Sequence, residues 1–402
     1  MNNIPVARSL EPSTPNESLS LFMDFARWFS AMVVVISHVR HLLFVNLKDV
    51  AAKTIWVKGF YFFTGFGHEA VMVFFVLSGF LVGGGCIRKL RQGTFDSAGY
   101  MISRFSRIYT VLVPALLLGG LLDTIGLRHF NDSAIYTDSP QYQTASLNFQ
   151  IVSQLGLSTF LGNLLCLQTI CVPMFGSNGP LWSLANEWWY YCIFLLLIAP
   201  FGGFRRAWAA RVAFAAGCLL LLLFPLTISL WFAIWGLGLL IGAWEFRFVR
   251  LPVWMAAAVF AGVLVWARLG HSTEGGEEPV FARFSRDLPI GMAFTLMLLA
   301  IKNAGRFNVP APSVHRFLAG FSYSLYVVHF PLLILLAAVA NDLLRQRFVV
   351  QPSISGIVPV TVAVVILYLA SVLFWLLTER HYHRIGSWMR RWLLRKPIPM
   401  RR

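Results

Sequence analysis

Arg27 and His38 lie 11 residues apart in the apolar run MDFARWFSAMVVVISHVRHLL, where hydrocarbon should exclude both. At about 100° per residue this spacing falls about 20° past three full helical turns, so both side chains project from one face, about 16 Å apart along the axis. A charged group at membrane depth costs roughly 2.5–3.5 kcal/mol on insertion scales, and such residues mark functional positions. Imidazole exchanges a proton near neutral pH, which makes His38 the best general-base candidate in the chain. Asp24, one turn before Arg27, can pair with it. The competing account treats Arg27 as a snorkelling anchor and His38 as a hydrogen-bonded packing residue.

Four further sets carry chemistry. Glu187, in PLWSLANEWWYY, needs a partner just inside the bilayer. A histidine on a facing helix would serve, since carboxylates commonly orient catalytic imidazoles. Trp182, Trp188 and Trp189 around it read as an interfacial aromatic belt. Arg104 and Arg107, in ISRFSRIY, share a helix face at i and i+3. Guanidinium pairs bind phosphate through parallel N–H donors; plain positive-inside anchoring is the alternative. In FFVLSGFLVGGG, Gly79 and Gly83 form a small-xxx-small pair that lets helices approach closely. Ser78, its lone hydroxyl, stands in no nucleophile-elbow context. Tyr323, Tyr326 and His329, in SYSLYVVHFPLL, fall on nearly one face, and Pro331 can kink the helix there. They form either a polar core cluster or a substrate-lining group. No zinc-type spacing and no CxxC occurs, so no metal site is expected.

These residues must be held by helices in a membrane. The chain has 402 residues, 57% hydrophobic and 12% charged, with a mean hydropathy of +0.68. Soluble domains carry about 25% charged residues, and 35 Phe with 14 Trp exclude a disordered chain. Continuous apolar runs of about 20 residues predict spanning helices rather than a barrel. The expected fold class is an all-α polytopic membrane bundle of about ten transmembrane helices, over roughly 21–45, 68–87, 108–124, 183–200, 208–224, 226–244, 251–268, 288–302, 322–341 and 357–378. Residues 1–20 read as a disordered cytoplasmic tail without a cleavable signal, 21–379 as the membrane domain and 380–402 as a basic cytoplasmic tail. With both termini in the cytoplasm, most of the 33 Lys and Arg fall on the cytoplasmic side. The net charge of +16 therefore reports topology and not a nucleic-acid partner. Residues 156–173 are apolar enough to enter the membrane, but a full span there would turn Arg205, Arg206 and Arg211 outward. A re-entrant or interfacial segment is expected instead, within a long outer loop from 125 to 182. Cys166 and Cys171 in that loop form a disulfide or remain two free thiols.

In order along the chain, these blocks resemble the acyltransferase 3 family of integral membrane O-acyltransferases, which acylate bacterial surface glycans among other acceptors. The family's Arg-x10-His signature corresponds to Arg27 and His38, preceded by its usual acid at Asp24. FFxLSGFL stands as Phe74 to Leu81, and the Arg-x-x-Arg pair as Arg104 and Arg107, followed by Pro114. LWSLxxE is Leu181 to Glu187, and SYSLYxxH is Ser322 to His329. The chain departs where the family often reads Glu-x-Pro, because Glu379 is followed by Arg380 and His381. The resemblance implies an acyl-coenzyme A donor, most often acetyl-CoA, no permanently bound cofactor, a glycan or lipid-linked saccharide acceptor, and a bacterial inner membrane. It implies His38 as base or acyl carrier with Arg27 and Glu187 beside it. Arg104 and Arg107 would hold donor phosphates, and Asp24, Ser78, Trp182, Tyr323, Tyr326 and His329 would line the substrate path. The rival from another class is a proton-coupled transporter or flippase of a glycan precursor, with intramembrane His and Glu as proton relays. The inverted repeats common in transporters are not visible.

Overall fold

A computed structural model describes residues 15–132, 134–137, 149–202, 206–248, 250–270, 278–304, 308–344, 351–353 and 356–394. Most of the anticipated N-terminal tail, the middle of the long loop and the end of the basic C-terminal stretch lie outside the described residues. Within them, the regular structure is helical apart from isolated β-bridges such as Gln168 to Val172. In chain order the helices are α1 (Pro15–Leu43), α2 (Ile55–Phe63), α3 (Gly67–Ser78), α4 (Gly84–Arg91), α5 (Ser97–His129), α6 (Leu157–Leu164), α7 (Leu181–Leu197), α8 (Ala207–Leu223), α9 (Leu226–Ser229), α10 (Trp231–Ala243), α11 (Val253–Leu269), α12 (Val280–Asn303), α13 (Pro312–Leu344), α14 (Ile357–Leu377) and α15 (Tyr382–Leu393).

Seven helical stretches are long and apolar enough, by length and composition, to cross a membrane. Each of the ten expected stretches falls on a helix. However, α7, α8 and α11 have 17 residues each, short of the about 20 that a hydrocarbon core asks of an upright helix. Seven stretches thus meet the length and composition of a span, and the expected count of ten is met only if these three shorter helices also cross. Helix α1 begins at Pro15, inside the stretch expected to be disordered. Proline suits a first helical turn, and Glu17 is fixed by an ion pair to Arg316 at 2.8 Å.

Two packing relations position the site. First, α3 passes through a π-type turn, Gly79–Gly83, into α4 and lies against α10 at backbone contact. A Cβ on Gly79 would come 1.9 Å from the Trp235 carbonyl oxygen, and one on Gly238 would come 1.9 Å from that of Val76. Only glycine fits on either side of this crossing, as the small-xxx-small spacing predicts. Second, α1 and α13 run side by side in the same direction. Trp28 Nε1 donates to His315 Nδ1 at 2.9 Å near one end, and His38 meets His329 at 2.8 Å further along.

The chain before α7 is clasped to this frame. Pro331 has no N–H to give the carbonyl of Val327, and Asn178 Nδ2 donates to that carbonyl at 2.9 Å instead. Buried Asp123 on α5 accepts from both the N–H and the hydroxyl of Ser177, each at 2.7 Å. Helix α6 has eight residues and rises only about 12 Å. The chain then folds back, with Asn163 Nδ2 donating to Pro173 O at 2.8 Å and Asn163 Oδ1 accepting from Phe175 N–H at 3.0 Å. Residues 156–173 thus form a short returning segment and not a span. Cys166 is buried, Cys171 is exposed, and both are free thiols.

Candidate active site

A cavity of about 450 Å³ opens among α1, α3, α5, α7 and α13. Arg27, Arg104, Arg107 and Arg316 line it, against two acids in its wall, Asp24 and Glu187. It deepens toward Val71, Phe74, Ser183 and Tyr326. From Arg316 to Tyr326 along α13 is about 15 Å at 1.5 Å per residue. The cavity is therefore cationic at one end of the bundle and aromatic toward the middle.

The arginines are held by neighbouring side chains, and one of them, Arg104, keeps an unpartnered donor. Arg27 pairs with Asp24 at 3.3 Å, as the sequence suggested. Arg104 lies over the Tyr191 ring at 5.6 Å and donates to Ser103 Oγ at 2.9 Å, while its Nε–H is buried without a partner. Arg107 pairs with Glu379 at 2.9 Å and lies between the rings of Tyr323 and Tyr382, at 5.3 and 4.7 Å. Glu379 Oε1 nevertheless receives no well-directed hydrogen bond. Arg107 stands in the cavity wall with its guanidinium held by this ion pair and the two rings. By contrast, Arg88 and Arg91, which precede the pair in sequence, donate to the carbonyls of Gly242 and Ala243 and tie α4 to α10.

Glu187 does not meet a histidine among the described residues. Tyr191 donates a short hydrogen bond to its Oε1. Trp235 Nε1–H donates to Ser78 Oγ at 3.1 Å, and Ser78 lies 3.1 Å from Tyr191 Oη. Indole only donates, and the phenol proton is spent on Glu187. The chain therefore runs one way, Trp235 to Ser78 to Tyr191 to Glu187, and fixes that carboxylate on the cavity wall.

The partner of His38 is His329. Buried His329 places Nδ1 at 2.8 Å from the Tyr326 carbonyl and 3.0 Å from that of Leu325. Carbonyl oxygens only accept, so Nδ1 of His329 carries the proton and its Nε2 carries the lone pair. His38 Nδ1 must then donate across the 2.8 Å contact. The second nitrogen of His38, Nε2, is left with its lone pair exposed, the tautomer a base needs.

The cavity wall thus gathers Asp24, Arg27, Ser78, Arg104, Arg107, Glu187, Tyr323 and Tyr326. His38, His329 and Trp182 are not in it. His38 and His329 sit one aromatic layer beyond, behind Tyr326 and Phe74, whose rings meet at 5.8 Å. The shared helix face of Arg27 and His38 therefore does not bring both into this cavity: Arg27 lines it and His38 does not, while Tyr326, its hydroxyl 2.6 Å from that of Ser183, stands in the wall. Trp182 instead stacks on His68 at 6.1 Å. That imidazole meets buried Asp287 at 2.7 Å, and Asp287 also accepts from Trp231 Nε1 at 2.8 Å. Sequence reasoning passed over this second cluster, although GHEA, three residues ahead of the FFVLSGFL block, carried its signal.

A family model for the acyltransferase 3 group, described as an acyltransferase domain, matches residues 20–380. The chain belongs to this family. Comparison with curated proteins and with solved structures gives no match. The five acyltransferase 3 blocks stand on α1, α3, α5, α7 and α13, the same five helices that wall the cavity. One wall residue, Tyr382, comes from α15 and belongs to none of the blocks. Family membership makes the protein a membrane acyltransferase, built from helices of which seven stretches suit a bilayer.

Proposed function

We propose that the protein moves an acyl group, acetyl in the simplest case, from cytoplasmic acyl-coenzyme A to a hydroxyl of a glycan on the far side of a bacterial inner membrane. The observation that carries this is the cavity itself: four arginines at one end, Arg104 with an unpartnered Nε–H, leading about 15 Å inward to a tyrosine floor beneath a histidine pair. Arg104 and Arg107 suit the donor's phosphates, because guanidinium and phosphate match as forks. The narrowing, apolar continuation suits a pantetheine arm. The positive-inside bias assigns the arginine end, and with it both termini, to the cytoplasm.

Chemistry would take place at the floor. The Tyr326 side chain turns aside, and the thioester carbonyl comes within reach of His38. Nε2 of His38 removes the proton of the acceptor hydroxyl as that oxygen attacks the carbonyl carbon. The carbon–sulfur bond breaks, and the departing thiolate takes up the proton. His329 keeps His38 in the required tautomer and stabilises the imidazolium that forms, the part that Glu187 was expected to play. Glu187 remains a wall residue of the donor cavity. The acceptor would approach from the end of the bundle that carries His68 and Asp287.

Purified protein supplied with acetyl-labelled coenzyme A and native membranes tests this reading. Label should pass to a saccharide fraction with wild type and stop with His38→Ala. Label that never leaves coenzyme A with the wild-type protein would refute it.

A further inference from the structure

After the last membrane-length helix, the chain folds back under the arginine cavity. A 3₁₀ turn, Glu379–His381, leads directly into α15. The segment is fastened to α5 at three levels. Glu379 reaches Arg107 at 2.9 Å, Gly386 packs so closely on Ser106 that a Cβ would lie 2.8 Å from its hydroxyl, and Arg390 pairs with Asp96 at 3.0 Å.

The carboxylate of Glu379 is 1% exposed, which would be costly for a group with no task. Its two oxygens divide the work. Oε2 accepts from the N–H of Ser324 at 3.0 Å and from its hydroxyl at 2.7 Å, fixing the carboxylate to α13. Oε1 faces Arg107. Tyr382, three residues on, covers the same guanidinium at 4.7 Å and stands in the cavity wall. Arg107 is thus anchored by a charge and by two rings while it lines the cavity.

We infer that the segment Glu379–Tyr382 completes the anion site of the cavity, with Glu379 as the positioning residue that presents Arg107 to a phosphate group of the donor. This rests on the donor reading above and extends it to residues outside the five family blocks. A buried carboxylate behind a guanidinium lowers the net charge of the site. It therefore helps only if orientation outweighs that loss, and the direction of the effect is decisive.

The test is titration calorimetry of the full-length protein in detergent with coenzyme A, and separately with pantetheine, which lacks the phosphates. Glu379→Gln should weaken coenzyme A at least tenfold and leave pantetheine within twofold, with the thermal midpoint little changed. Glu379→Asp, which keeps the charge, should recover part of the loss. Equal weakening of both ligands would make Glu379 merely structural, and unchanged or tighter coenzyme A binding would show that it does not present Arg107; either overturns the inference. If Glu379→Gln fails to accumulate, Tyr382→Ala decides: a several-fold loss for coenzyme A alone supports the inference, and no loss overturns it. If wild type binds no coenzyme A, the donor reading falls and takes this one with it. If Arg107→Ala abolishes binding while Glu379→Gln does not affect it, the inference alone falls.

Discussion

Replacing His329 with Phe isolates the step that makes His38 a base. The substitution keeps an aromatic ring in a wholly buried site and removes the acceptor that His38 Nδ1 meets at 2.8 Å. During turnover His38 would become an imidazolium, and a hydrogen bond to a charged group contributes about 1.5–3 kcal/mol. Loss of that bond corresponds to a fall of about 10- to 150-fold in kcat. The KM for acetyl-CoA should not move, because His329 is absent from the cavity wall that carries the arginines. His329→Gln retains an oxygen that can accept from His38 and should lose less. The assay is transfer of labelled acetyl in membranes containing equal amounts of each variant. A kcat for His329→Phe within twofold of wild type would refute the tautomer reasoning, as would a change confined to KM.

Four other outcomes follow from the packing. Gly79→Val forces a side chain into the Trp235 carbonyl and should cost about 3 kcal/mol or more, seen as loss of the monodisperse peak in detergent. Gly236→Ala, with nothing within 4 Å of the new Cβ, should leave that peak intact. Asp123→Ala removes both hydrogen bonds from Ser177 and should lower stability by about 1.5–3 kcal/mol, measured as a drop in thermal midpoint; an unchanged midpoint would mean the clasp is dispensable. Cys171 should react quickly with a maleimide without prior reduction and Cys166 should not, because the first is exposed and the second buried; peptide mapping of the labelled protein would read this out.

Much of this site was legible because its features are local. The spacing of Arg27 and His38, the shared face of Arg104 and Arg107, and the glycine stripe at Gly79 and Gly83 are each set by the period of one helix. Partnership across helices was not. His329 lies 291 residues from His38, and Glu187, the nearest conventional partner by chemistry, turned out to be engaged by Tyr191 one turn away. Helical periodicity cannot choose between two such candidates, because the choice depends on which helices pack together. Glu379 was visible only as a departure from the family pattern; its burial against Arg107 requires the chain to double back after α14. The number of spans was not settled by composition for a related reason. Composition marks α7, α8 and α11 as apolar, but their 17-residue lengths appear only once their ends are placed.

The most direct test of the whole account is a structure of the full-length protein with coenzyme A bound. Phosphate oxygens should lie within hydrogen-bonding distance of Arg104 and Arg107, and the sulfur should sit at the Tyr326 floor on the side toward His38. Coenzyme A bound away from the arginines, or with its sulfur directed away from that histidine, would contradict it.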